Sequence, residues 1–154
     1  MVLSMRADAI YATEEFPKGH APFPVSSEEG AEPRRERRRV LVVDDQRLIA
    51  DTLAEILANE GFEAVAAYDG WEALEQAARF RPDWLLSDVL MPRMNGVELA
   101  IAVQKNYPKT DILLFSGQAG ISEILEDGHR RGYRFELMAK PVHPLKLVER
   151  LKRP

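Results

Sequence analysis

Five short apolar runs punctuate residues 40–154, and the segments between them repeat their apolar residues at helical spacing. The first run, Val40-Leu41-Val42-Val43, has no polar alternation, as expected of a strand buried on both faces. Ala64–Ala67, Trp84–Ser87, Ile112–Phe115 and Phe135–Ala139 supply the other four. After the first run come Leu48, Ile49, Leu53, Ile56 and Leu57 at helical spacing, with Gly61 as a stop signal. Asp69 and Gly70 lead a second helix with Ala73, Leu74, Ala77 and Ala78 on one face. A third helix runs through Leu99, Ala102 and Val103, and a shorter one lies near Ile121–Arg131. His143-Pro144 opens the last, through Leu145, Val148 and Leu151, with Pro suited to a first helical position. Strands alternating with helices require right-handed crossovers and a parallel sheet covered on both faces, an α/β doubly wound fold. Periodicity alone leaves the strand order open.

The remainder of the chain differs. Residues 1–39 carry seven basic and seven acidic residues, four prolines and no sustained period, and read as a flexible extension. The extension ends in Arg34-Arg35-Glu36-Arg37-Arg38-Arg39, a solvated charge run or a patch that could dock on an anionic surface. Residues 40–154 hold all of the chain's formal charge of −4, which disfavours a nucleic-acid binder working by phosphate neutralisation. With no Cys there is no disulfide, thiolate metal site or thiol nucleophile. No apolar run reaches the roughly 20 residues of a membrane span, and no secretory signal stands at the start. Cytoplasmic is the default location.

In a doubly wound sheet the chemistry sits outside the carboxyl ends of the strands. Those positions hold Asp44-Asp45, Asp88, Ser116-Gly117 and Lys140-Pro141, while Tyr68-Asp69 reads as helix capping. Taken singly, each has a plain structural reading: Asp44 or Asp45 as the cap of the first helix, Ser116 as a turn residue. Taken together, three carboxylates, a hydroxyl and an ammonium converge on one edge. Clustered carboxylates repel unless a cation joins them, and an all-oxygen donor set favours Mg²⁺ or Mn²⁺ over zinc. A carboxylate is also a nucleophile towards phosphorus, whose oxygens Lys140 and a hydroxyl donor could then serve.

Val-Val-Asp-Asp (42–45), Ser-Asp-Val-Leu-Met-Pro-Arg-Met-Asn-Gly (87–96), Phe-Ser-Gly (115–117) and Ala-Lys-Pro (139–141) resemble the receiver domain of two-component response regulators. The 87–96 stretch is the most specific of these, and the resemblance spans residues 40–154. It implies a flavodoxin-like (βα)5 sheet of five parallel strands with helices on both faces. It also implies that Asp88 accepts a phosphoryl group, with Lys140 and Ser116 on that group and a cis Lys140–Pro141 bond. Asp44, Asp45, Asp88 and the Leu90 backbone carbonyl would hold Mg²⁺ or Mn²⁺, and Gly96 would fill a turn that a Cβ would crowd.

By the same resemblance, the donor is a histidine kinase or phosphotransfer protein, and the phosphorylated form hydrolyses itself with Mg²⁺. Leu90 and Gln118 tune that lifetime. The chain would then be a stand-alone switch rather than a turnover enzyme. Its output would be a surface offered to a downstream protein, or to a second copy through the last strands and helices, with no DNA or membrane partner. One departure stands out: Leu137 occupies the family's usual Tyr or Phe position, with Phe135 two residues before it. A phosphate-independent interaction module is the alternative, and a haloacid-dehalogenase-type phosphatase fits poorly because Gln46, not Asp, stands two residues after Asp44. Trp71 and Trp84 read as core or half-buried anchors, and His129 and His143 as surface and cap residues.

Overall fold

Val40, Leu41, Val42 and Val43 are completely buried, which is why their run lacks polar alternation: side chains on both faces of the strand meet apolar neighbours. The computed structural model describes residues 36–117 and 120–154. The expected flexible extension falls almost wholly on residues 1–35, outside the described residues, as does Gln118. The elements alternate strictly: β1 (Arg39–Val43), α1 (Arg47–Asn59), β2 (Glu63–Ala67), α2 (Gly70–Phe80), β3 (Trp84–Asp88), α3 (Gly96–Asn106), β4 (Asp111–Ser116), α4 (Ser122–Arg130), β5 (Glu136–Ala139) and α5 (Pro144–Lys152). All pairings are parallel, in the order β2-β1-β3-β4-β5. This is the flavodoxin-like order, and the direction in which successive strands are added reverses between β1 and β3.

Two cores lie on opposite faces of the sheet. Leu41, Val43, Leu85 and Leu114 point towards α2 and α3, whose Ala73, Ala77, Leu99, Ala100 and Val103 are buried there, and Ile124 and Leu125 of α4 pack against its edge. Val40, Val42, Leu86 and Phe115 point towards α1 and α5, meeting Ala50, Leu53, Leu57, Leu147 and Leu151. Each fully buried Leu stabilises the fold by about 1.5–3 kcal/mol relative to leaving it in water. The pattern of small residues on α2 lets that helix lie close to the strands.

Helix ends follow local chemistry. Asp69 caps α2 by accepting from the Glu72 N–H at 2.8 Å, and Asn95 and Glu98 form a reciprocal capping box on α3. Pro144 stands in the first turn of α5, and Gly61 leaves α1 at φ +96°, a conformation open to glycine without strain.

Four expectations are corrected. Neither Asp44 nor Asp45 caps α1; the cap position is Gln46, whose side chain makes no capping bond. Leu48 belongs to the helical period but is 79% exposed, because the first turn of α1 stands beyond the buried stripe of Ala50, Leu53, Ala54 and Leu57. Ala78 likewise faces solvent. Trp84 is buried as expected, but Trp71 is 62% exposed at the start of α2, not an anchor. His143 takes the cap position of α5 without making a side-chain cap bond.

Candidate active site

The crevice beyond β1 and β3 is the place where this strand order leaves room for a ligand. Asp88 is the last residue of β3, Asp44 the first after β1, Ser116 the last of β4 and Lys140 the first after β5. Parallel register brings these ends level, since Val43 pairs with Ser87 and Asp88 with Phe115. Lys140 is tied to the same edge by its N–H, which donates to the Ser116 carbonyl at 2.9 Å. The Lys140–Pro141 bond is cis.

Side chains close the site. The Lys140 ammonium lies 3.0 Å from Asp88 Oδ2 and 3.4 Å from Asp44 Oδ2. The other Asp44 oxygen, Oδ1, accepts from the Gln46 N–H at 2.9 Å. Asp44 is 1% exposed and Asp88 8%, while Asp45 faces solvent. One carboxylate oxygen from each of Asp44, Asp45 and Asp88 lies within 4.8 Å of the others. Ser116 sits at the rim, and its hydroxyl makes no hydrogen bond to another described side chain.

The electrostatics follow from this packing. Burial drives the Asp44 carboxyl above its ordinary value of 3.8, against the opposing pull of the Gln46 N–H and Lys140; the charge on Asp88 adds to the rise. Burial acts on Lys140 in the opposite sense, lowering it. The hydrogen bond and charge of Asp88, with Asp44 behind them, outweigh that burial and hold the ammonium above 10.5. One ammonium therefore serves two buried carboxylates. A third carboxylate at the mouth leaves the cluster with an excess of negative charge.

The backbone beneath Asp88 is clamped. Its carbonyl accepts from the Ser87 hydroxyl at 3.0 Å, and a Cβ on Gly96 would stand 2.1 Å from that same oxygen. The Gly96 N–H donates to the Val89 carbonyl at 2.8 Å, and the Val89 N–H to the Phe115 carbonyl at 3.1 Å. The crowding expected at Gly96 is therefore present, and its cause is the site's own carbonyl. Gly117 differs: a Cβ there would meet nothing within 4 Å.

Two parts of the surroundings escape the sequence patterns. Arg93 takes a left-handed backbone at φ +69° and reaches Asp69, the α2 cap, at 3.4 Å, tying the loop after β3 to the second helix. No side-chain period marks such a loop residue. Beside Lys140, a groove of about 690 Å³ is lined by Leu48, Ile49, Ile56, Phe115 and Val142, and no residue pattern in the sequence marks it. Leu90 and Leu137 are each 43% exposed. Phe135 precedes β5, packs against the α2–α3 core and stacks with Tyr133 at 6.1 Å between ring centres.

A parallel sheet with this order and an acidic pocket at its switch point define the class of fold and site that the comparisons with known proteins then place in a family. Residues 40–152 match the response regulator receiver domain, and the chain belongs to that family. It is 39% identical over 85 residues to response regulator MprA of Mycobacterium leprae, a match covering 55% of this chain and 37% of that protein. The chain thus spans little more than a third of the length of the curated relatives it matches. Chemotaxis protein CheY4 of Vibrio cholerae superposes with a TM-score of 0.66 at 32% identity, covering 75% of this chain and 97% of that one. A CheY-like receiver domain protein of Methanospirillum hungatei gives a TM-score of 0.67 at 28% identity, over 75% and 91% of the two chains.

Proposed function

We propose that this chain is a phosphorylatable switch in which Asp88 accepts a phosphoryl group from a histidine kinase or phosphotransfer protein. The observation that carries the reading is the shared ammonium: Lys140 reaches both Asp88 and Asp44, next to a third carboxylate. An Asp88 oxygen attacks phosphorus as the phosphorus–nitrogen bond of the donor histidine breaks, and the imidazole takes up a proton on leaving. Lys140 then pairs with the phosphoryl oxygens in place of the carboxylate it neutralised before. Ser116, whose hydroxyl is uncommitted to other described side chains, is placed on the adjacent strand end to donate to one of them.

A divalent cation fits this donor set. Three carboxylate oxygens within 4.8 Å form a hard, all-oxygen cluster that suits Mg²⁺ or Mn²⁺. Asp44, Asp45 and Asp88 would hold the ion with the Leu90 carbonyl, and the ion would supply charge neutralisation to the phosphoryl oxygens. Hydrolysis of the acyl phosphate returns the switch to rest, and by the family resemblance the residue types at Leu90 and Gln118 set its rate. Residues 40–154 form the receiver unit, which β1 extends by one residue to Arg39. We assign the chain to the cytoplasm, with a downstream protein or a second copy docking on the face of α4, β5 and α5.

Labelling by a phosphorylated histidine kinase, or by acetyl phosphate with Mg²⁺, tests the assignment. One phosphoryl group should appear by intact mass and vanish in Asp88→Asn; a wild-type chain that never labels overturns it. A second reading, a phosphate-independent interaction module, draws support from the exposed Leu137 at the usual aromatic position. Mg²⁺ binding without phosphoryl acceptance would favour that reading.

A further inference from the structure

The edge of the sheet opposite the acidic pocket carries the reverse charge. A cleft of about 400 Å³ opens there, beneath the start of β1 and the ends of α2 and α5. Three of its basic side chains have structural employment at helix C-termini, where carbonyls lack intrahelical donors. Arg38 donates to the Leu151 carbonyl at 2.6 Å, Arg39 to the Phe80 carbonyl at 3.1 Å, and Arg81 to the Ala78 carbonyl at 3.1 Å. Arg81 also lies over the Tyr107 ring at 4.8 Å. Carbonyls and rings orient a guanidinium without cancelling its charge, although Arg39 is in addition ion-paired with Glu63 at 3.6 Å.

Three further cations line the same cleft with no such task. Arg37, Lys109 and Arg153 form no ion pair with a carboxylate among the described residues. The lining carboxylates are Glu36, Asp83 and Asp111, and Asp83 already accepts from the Arg39 N–H at 2.8 Å. Six basic side chains thus face three acidic ones in a chain whose overall charge is negative. Arg34 and Arg35 adjoin this run in the sequence.

We propose that this cleft binds a compact polyphosphate anion, free or as the phosphate tail of a nucleotide. Concavity and size favour a small anion over a flat lipid surface or a duplex. Guanidinium groups meet phosphate oxygens through paired N–H donors, and Lys109 adds a point charge. The lining is chiefly cationic rather than apolar, so affinity rests on charge and should fall steeply with salt. The site lies at the far end of the sheet from Asp88 and does not depend on the reading of that pocket.

The test is an amide NMR titration of the full chain, without Mg²⁺, using inorganic tripolyphosphate in one arm and ATP in another. The amides of Arg37, Lys109, Asp111 and Arg153 should shift and saturate, while those of Asp44 and Asp88 hold still. Affinity should fall at least tenfold between 50 and 300 mM NaCl, in line with screening on these length scales. The triple variant Arg37→Glu, Lys109→Glu, Arg153→Glu should lose the shifts yet keep the wild-type amide dispersion and circular dichroism spectrum, which shows that it folds. Equal affinity in both arms assigns recognition to the phosphates, and tighter ATP binding assigns the nucleotide. The proposal fails if no saturable shift appears at millimolar anion, if the triple variant titrates like wild type, or if shifts map to the acidic pocket. Binding confined to anionic vesicles or single-stranded DNA also overturns it.

Discussion

The half of the domain built on β1 and β3 and the half built on β4 and β5 use the same strand–helix unit to opposite effect. In β3 every residue from Trp84 to Asp88 is buried, and the Asp88 carbonyl is held between the Ser87 hydroxyl and the backbone of Gly96. In β5 no residue from Glu136 to Ala139 is fully buried, and in α4 the sole buried residue is Gly128. The proposed nucleophile, Asp88, and the proposed ion ligands sit on the first half, where displacement is costly. The second half contributes Lys140 and Ser116 from its strand ends; β4 is as buried as β3 inside, and it is β5 and α4 that present surface. Reacting groups need fixed positions, whereas a face that signals to a partner needs exposed, alterable packing.

Substitutions at matched positions can break this contrast. The largest effect belongs to chemistry: Asp88→Asn should abolish phosphoryl labelling while leaving the circular dichroism spectrum unchanged. Among packing changes, Leu86→Ala should cost about 3–4 kcal/mol in urea unfolding, because its side chain is wholly buried. Leu137→Ala, 43% exposed on β5, should cost less than about 1 kcal/mol. Equal losses would show that the two halves are equally packed. The glycines give a smaller pair. Gly96→Ala forces a Cβ onto a backbone oxygen 2.1 Å away and should destabilise by about 2–3 kcal/mol, slowing labelling as Asp88 shifts. Gly117→Ala meets nothing and should change stability by under about 0.5 kcal/mol.

The smallest effect is electrostatic. Because burial raises Asp44 above 3.8, the folded state holds its proton more tightly than the unfolded chain. Metal-free stability should therefore decline as pH rises from about 4 through the folded value, and the decline should shrink in Asp44→Asn. In the same variant, Mg²⁺ should no longer raise the melting temperature. Lys140 acts in the reverse sense: its raised value adds stability below pH 10.5 that is lost as pH climbs through the folded value.

The contrast also explains which parts of the molecule were legible in the sequence. β1 and β3 announce themselves as unbroken apolar runs because both faces are covered, and the Asp residues at their ends follow from knowing where such strands stop. Strand order was not legible from periodicity, since each crossover reads the same whichever neighbour it reaches; the resemblance of residues 87–96 and their companions supplied it. Leu48 and Trp71 were misplaced for one reason. Helical spacing reveals a stripe but not where the stripe runs off the sheet, and Leu48 and Trp71 lie in first turns beyond its carboxyl edge. The Arg93–Asp69 tie and the Ser87–Asp88 bond depend on loop geometry and on a carbonyl, neither of which leaves a mark in residue periodicity.

The proposed switch depends on one pocket in which Asp88 would accept a phosphoryl group while Lys140 and a divalent ion held by the neighbouring carboxylates offset its charge. Intact-mass measurement in phosphoramidate, with Mg²⁺ or with chelator, on wild type, Asp88→Asn and the double variant Asp44→Asn, Asp45→Asn tests it most directly. Wild type with Mg²⁺ should gain a single phosphoryl group, and the other five conditions should leave the mass unchanged or label at least a hundredfold more slowly. Labelling of Asp88→Asn at the wild-type rate, or of wild type equally well in chelator, would contradict the account.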